Sequence, residues 1–280
     1  MTTLTAASPI VAPSAGLARA VRDLRTMTRR SLLRMLRNPG MTLMLISIPV
    51  VLLLLFVYVF GGAFGAGVTP GASPGAAGRA AYLTYIAPAI LIMTAGSIAQ
   101  NTAISVAMDM TGGMITRLRT MPVTSVSVLG GHVVGAVVQT LVAAAGVLGM
   151  AVLLGFRPGA DAAGWLALVG FFLLLAVTLT WLSVAMGSAA RTVEGASNTP
   201  MIFILLTFFG SGFAPVRTMP TPVRVFAEHQ PLTPINETVR GLLAGHGLEA
   251  STAWTALAWC VGLTVVGVLW ARAAYRRPRS

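Results

Sequence analysis

Residues 41–64 read MTLMLISIPVVLLLLFVYVFGGAF, a run with no charged side chain. At 1.5 Å per residue, a helix of this length crosses the ~30 Å hydrocarbon layer of a bilayer. A helix also satisfies its own backbone in lipid, which irregular chain does not. Working outward, the same pattern recurs at about 83–108, 127–155, 165–190, 197–217 and 251–271. Pro49 and Pro88 fall inside two of these runs and are expected to kink them. The whole composition agrees. Of 280 residues, 56% are hydrophobic and 9% charged, where a soluble domain carries about 25% charged residues. The expected fold is an all-α integral membrane protein with six transmembrane helices.

What is missing narrows the chemistry. All 19 basic residues are arginine. Without lysine the chain holds no Walker A loop and runs no Schiff-base or Ser-Lys chemistry. The lone Cys260 excludes an internal disulfide and a thiolate metal cage. His132, His229 and His246 lie far apart, so no metal site and no catalytic set is expected.

Arginine placement orients the spans. With the N-terminus inside, Arg19, Arg22, Arg25, Arg29, Arg30, Arg34, Arg37, Arg117, Arg119, Arg191, Arg272, Arg276, Arg277 and Arg279 are cytoplasmic, 14 of the 19. The outer pieces keep Arg79, Arg157, Arg217, Arg224 and Arg240, most of them near Asp161, Glu228, Glu237 or Glu249. Both termini are expected in the cytoplasm. The net charge of +12 is then positive-inside bias and attraction to anionic membrane lipid, with no nucleic-acid partner.

The flanking segments differ in character. Residues 1–16 have the composition of a disordered tail, and 276–280 form a basic tail. Over 17–37 a helical period puts Leu17, Val21, Leu24, Leu32 and Met35 on one face and the arginines outside it. Such a helix lies in the membrane interface, as a lipid anchor or as a docking surface for a cytoplasmic partner. Asn38-Pro39-Gly40 breaks it. Residues 65–81 read as a flexible, low-complexity outer loop. Residues 218–248 read as two short helices joined at 230–233, a hairpin that either dips into the membrane or lies on it. Thr233 and Pro234 look like its second N-cap, and Gly245 or Gly247 its stop. In 109–122, Asp109 is placed to cap a short cytoplasmic helix with Met114, Ile115, Leu118 and Met121 on one side and Arg117 and Arg119 on another; Pro122 ends it. A second connection, 191–198, carries Glu194.

No charge lies near the middle of a span, which argues against proton- or sodium-driven transport. The polar residues there are Thr94, Ser97, Gln100, Asn101, Ser105, His132, Gln139, Thr207 and Ser211. Hydrogen bonding between helices accounts for most such residues. Asn101 shares a helix face with Thr94, Ser97 and Ser105, and that face is the expected substrate path. Gln100, a 100° turn away, is expected to bond to a neighbouring span. Gly131-His-Val-Val-Gly135 permits close helix packing.

Taken together, several motifs resemble a known family. They are Arg34-Met-Leu-Arg37-Asn38-Pro39, Tyr58-Val-Phe-Gly-Gly62 and Tyr82-Leu-Thr-Tyr-Ile-Ala-Pro88. There follow Asp109…Gly113…Arg117-Leu-Arg119-Thr-Met-Pro122, Glu194-Gly-Ala and Ser211-Gly-Phe-Ala-Pro215. Met219-Pro220 and Pro231-Leu-Thr-Pro234…Arg240 complete the set. In this order, over about residues 17–275, the chain resembles a type-2 ABC transporter permease of the daunorubicin-resistance, drug-export branch. The resemblance implies a single permease domain in a bacterial inner membrane. It implies a second permease subunit, the same or different, and two copies of a separate ATPase that binds ATP and magnesium, so that this chain has no cofactor of its own. It further implies that 109–122 is the coupling helix, with Asp109, Met114, Arg117, Leu118, Arg119 and Glu194 at the ATPase. The helix at 17–37, with Arg22, Arg29 and Arg30, becomes the connecting helix at that interface. Spans two and five, with Ser97, Asn101, Ser105 and Thr207, line the route, and 218–248 forms the outer gate. The absence of a sizeable outer domain departs from larger relatives. Export of a glycolipid or polysaccharide is the second reading. It is disfavoured because spans two and five offer few aromatics: Tyr82, Tyr85, Phe203, Phe208 and Phe209. A lipid-modifying membrane enzyme lacks a convergent acid, base or metal set in the sequence, whereas a purely structural subunit is left open by it.

Overall fold

The computed structural model of the chain describes residues 39–68, 75–111, 125–190 and 192–276. The expected tail 1–16, the connecting helix 17–37, the coupling residues beyond Thr111 and the end of the basic tail lie outside them. Among the described residues every regular element is helical. Helix α1 (Pro39–Leu55) opens with proline, whose missing N–H costs nothing in a first turn. It continues through a π-helical turn, Phe56–Phe60, into α2 (Gly61–Val68). Then come α3 (Ala76–Thr111), α4 (Ser125–Leu153) and α5 (Ala162–Ala189), the last capped by the Asp161 carboxylate accepting from Gly164 N at 2.7 Å. The short α6 (Val193–Asn198) and α7 (Met201–Phe208) precede α8 (Thr221–His229), α9 (Leu232–Ala244) and α10 (Ala250–Arg276).

Among the described residues, five stretches are long and apolar enough to cross a membrane: Leu43–Phe64, Ala76–Thr111, Gly130–Leu153, Ala162–Ala189 and Ala250–Ala274. The expected fifth span, 197–217, is not one helix. Pro200 separates α6 from α7, and α7 stops at Phe208 after eight residues. Gly210, Gly212 and Pro215 then carry the chain through turns. A side chain at Gly212 would meet the Thr207 carbonyl oxygen at 2.8 Å and Ala89 Cβ at 3.0 Å, so the turn is pressed onto α3.

Two further expectations change. The loop at 65–81 is shorter, because helix continues to Val68 and resumes at Ala76 after Gly75, whose φ of +96° suits the turn. The second hairpin helix starts at Leu232. Thr233 is inside it and donates to the Ala227 carbonyl instead of capping. The hairpin itself has two short helices, as read from the prolines, and Gly245 stops the second with φ +74°. The connection at 191–198 contains the one-turn α6, N-capped by the Thr192 hydroxyl, which accepts from Gly195 N at 3.1 Å.

Helix α3 is the centre. Its 36 residues reach about 54 Å at 1.5 Å each, and 78% of its most apolar stretch is buried. The corresponding figure is 17% for both α1 and α10. Their outward faces carry Leu43, Met44, Ile48 and Val51, and Trp254, Val261, Val265 and Leu269. Apolar faces of that size suit lipid, not water. Small residues allow the close crossings. Gly187 on α5 sits against the backbone of Ala103 on α3, and Gly267 on α10 against Trp181 and Leu182 on α5. The Thr178 hydroxyl links α5 to α10 through Thr264 Oγ1 at 2.8 Å and the Cys260 carbonyl at 3.1 Å.

Candidate functional site

Tyr82 and Tyr85 are three residues apart on α3 and share a face. Both reach the turn after α7. Tyr85 OH donates to the Ser211 carbonyl at 2.8 Å, and Tyr82 OH to the Phe213 carbonyl at 3.3 Å. From α9, Asn236 Nδ2 donates to the same Ser211 carbonyl and to Ser211 Oγ, both at 3.2 Å. Arg240 Nη2 adds a third donor to that carbonyl at 2.8 Å, while Nη1 bonds both Glu237 oxygens at 2.7 Å. Gln230, at the bend of the hairpin, donates to the Leu206 carbonyl at 2.9 Å and lies against Gly210. The motifs around Tyr82, Ser211 and Pro231 to Arg240 therefore form one polar lock. It joins α3, the broken α7 segment and the α8–α9 hairpin.

Between Ile86 and Gly96 every α3 residue is buried. Beyond it a partly open stripe runs through Ser97, Asn101, Ile104, Ser105 and Met108 at helical spacing. Three of the four expected path residues answer their own helix: Ser97 donates to the Met93 carbonyl, Ser105 to that of Asn101, and the buried Thr207 to that of Phe203. Asn101 is half-buried on the stripe, and its amide has no bonded partner among the described residues. Thr94, read onto the same face, is fully buried and bonds the Ile90 carbonyl. Gln100 Nε2 donates to the Ser197 carbonyl of α6 at 2.7 Å.

Asp109 lies within α3, two residues before Thr111. Its Oδ2 lies 3.0 Å from His132 Nε2 on α4. Glu194 is exposed in the first turn of α6, where the helix dipole favours a carboxylate. Met114, Arg117, Leu118 and Arg119, like Arg22, Arg29 and Arg30, lie outside the described residues. No three His, Cys, Asp or Glu side chains converge as a metal site among the described residues.

Residues 22–244 match the profile of the ABC-2 type transporter. The chain belongs to that family. An ABC-2 protein is a membrane permease, and its several apolar helices fit a multi-pass protein. The chain is 30% identical over 240 residues to a daunorubicin resistance ABC transporter permease of Streptomyces coeruleorubidus, covering 84% of this chain and 77% of that one. It is 28% identical over 195 residues, 69% of each, to a probable doxorubicin resistance ABC transporter permease of Mycobacterium tuberculosis.

In this ABC-2 permease, aromatic residues of the first span, α3, α7 and the turn after α7 are brought together. Phe64, Phe60, Phe56, Phe213 and Phe208 form a ladder with successive ring centres 5.6, 5.6, 4.9 and 4.3 Å apart, and Tyr82 joins at 5.9 Å from Phe64. Phe56, Phe60 and Phe64 recur every fourth residue, a visible signal in span one. Their contact with Phe213 on the turn after α7, and through it with Phe208 at the end of α7, is visible only in three dimensions. A second apolar feature lies where α7 meets α8: a groove of about 420 Å³ lined by Ile202, Leu205, Leu206, Phe209, Pro222, Val223 and Phe226.

Proposed function

We propose that this permease is the transmembrane subunit of an ATP-driven exporter that moves an amphipathic drug, antibiotic or lipid out of a bacterial cell. The observation that carries the reading is the arrangement along α3. A polar lock at one end closes over a covered middle, and a partly open polar stripe lies toward the other. The kinship with permeases named for daunorubicin and doxorubicin resistance supports the cargo class. The aromatic ladder suits a flat, amphipathic molecule. A glycolipid is the alternative cargo.

In this reading the chain crosses the inner membrane six times with both termini in the cytoplasm. The fifth crossing is the broken stretch of α6, α7 and the following turns. Its backbone is non-helical where α3 and the hairpin cover it, the only setting in which a bilayer tolerates that. A second permease subunit completes the route, and two ATPase subunits, which bind ATP and magnesium, dock at the cytoplasmic face through 109–122 and 17–37. Asn101, with Ser97 and Ser105, faces the route from the inner side. The Tyr85–Ser211–Arg240 lock holds the outer side shut until hydrolysis opens it.

The test is reconstitution. The chain is coexpressed with each ABC ATPase of its own genome and purified, and doxorubicin uptake into inverted vesicles is measured with ATP and magnesium. ATP-dependent uptake, lost in a hydrolysis-dead ATPase variant, is the expected result. No copurifying ATPase would end the reading, and ATP-dependent uptake of a glycolipid in place of doxorubicin would replace the cargo.

A further inference from the structure

Asp109 and His132 stand on either side of the connection at 112–124, one on α3 two residues before Thr111 and the other seven residues into α4. Asp109 makes a tertiary contact with α4. Its carboxylate is 3.0 Å from the imidazole, and the two side chains are only 24% and 19% exposed. A neutral imidazole with its proton on Nε2 suffices to donate this bond, and a protonated ring donates it too.

The surroundings define what the bond adds. Beside it, Val106 on α3 and Val133 and Val137 on α4 belong to an apolar cluster with Val184 and Ala185 on α5 and Ala271 on α10. The attraction in such contacts is non-directional. α3 is already seated on α5, where Gly187 meets the Ala103 backbone. The Asp109–His132 bond adds a directional, charge-assisted tie between α4 and this seated α3.

We infer that Asp109 and His132 are positioning residues that hold the two ends of the 112–124 connection in register, so that displacement of that connection is passed to α3 and α4 as one body. Asp109 then serves coupling through His132. The inference rests on the reading of 109–122 as the ATPase-facing segment.

The experiment uses the intact permease–ATPase complex and reads two quantities: copurification of the ATPase, and stimulation of its hydrolysis by the permease. His132→Leu is expected to keep copurification and to lower stimulation about fivefold, the low end of ordinary coupling between sites. His132→Gln, which retains an amide donor for the carboxylate, is expected to keep stimulation near the starting level. The exchange Asp109→His with His132→Asp rebuilds the pair and is expected to recover most of it. A control with Arg117→Ala and Arg119→Ala separates the two ideas. If that control loses copurification while His132→Leu stimulates normally, the positioning role is wrong and the coupling segment stands. If the control changes nothing, the coupling reading fails and this inference with it. Should His132→Leu not assemble, the exchange variant decides: failure to recover stimulation overturns the inference.

Discussion

The guanidinium carbon of Arg240 lies 3.9 Å above the centre of the Tyr85 ring, across 155 residues of sequence. Both side chains also bond the Ser211 carbonyl. Stacking and forked hydrogen bonding are what arginine does and lysine does not. The lock therefore depends on the identity of residue 240, not on its charge alone.

Arg240→Ala is expected to destabilise the purified protein by roughly 1–3 kcal/mol, because it removes one donor from a buried carbonyl and leaves Tyr85 unstacked. Arg240→Lys is expected to recover less than half of that. Thermal unfolding in detergent measures both. Equal behaviour of lysine and arginine would show that charge, not the forked geometry, matters.

Glycine content alone does not tell which glycines matter, but the packing does. A Cβ on Gly187 meets the Ala103 carbonyl oxygen, and its carbonyl carbon at 3.0 Å, whereas one on Gly170 of the same helix meets nothing within 4 Å. Gly187→Ala is expected to cost ~1–3 kcal/mol through overpacking, and Gly170→Ala to be neutral or slightly stabilising. Comparing the melting temperatures of the two variants tests the α3–α5 crossing directly.

Adjacent residues on α3 are expected to respond differently. Gln100→Leu removes the 2.7 Å bond to the Ser197 carbonyl and is expected to cost about 1–3 kcal/mol of stability. Asn101→Leu removes no bond to a described residue and is expected to leave stability nearly unchanged while altering transport rate or cargo preference. Paired melting and vesicle-uptake assays distinguish them. An Asn101→Leu protein that melts early, with no separate transport defect, would place Asn101 in the packing and not on the route.

The orientation has its own check. In a Cys260→Ala background, Ser73→Cys is expected to react with an impermeant thiol reagent on intact cells, and Ser280→Cys only after the membrane is opened. The reverse pattern would invert the topology drawn from the arginines.

The sequence by itself determined that this is an all-helical membrane protein. Uncharged runs of some twenty residues have one stable form in lipid, and α4 and α5 start and end near the limits those runs set, whereas α3 begins well before its run. Proline and glycine also announced the α8–α9 hairpin and a stop at Gly245 or Gly247, which the structure places at Gly245, because they act on the local backbone. The family motifs were legible as separate words. What they do together was not. Tyr82, Tyr85, Ser211, Asn236 and Arg240 lie on segments up to 158 residues apart, and no period relates them. Hydropathy likewise could not rank the helices by burial. Lipid and protein interior are equally apolar, so the least apolar of the five long stretches is the one most enclosed. Only the tertiary structure placed α3 at the centre, broke the fifth apolar run against it and set Asp109 beside His132. Each of these follows from distances between segments, and a linear pattern does not carry such distances.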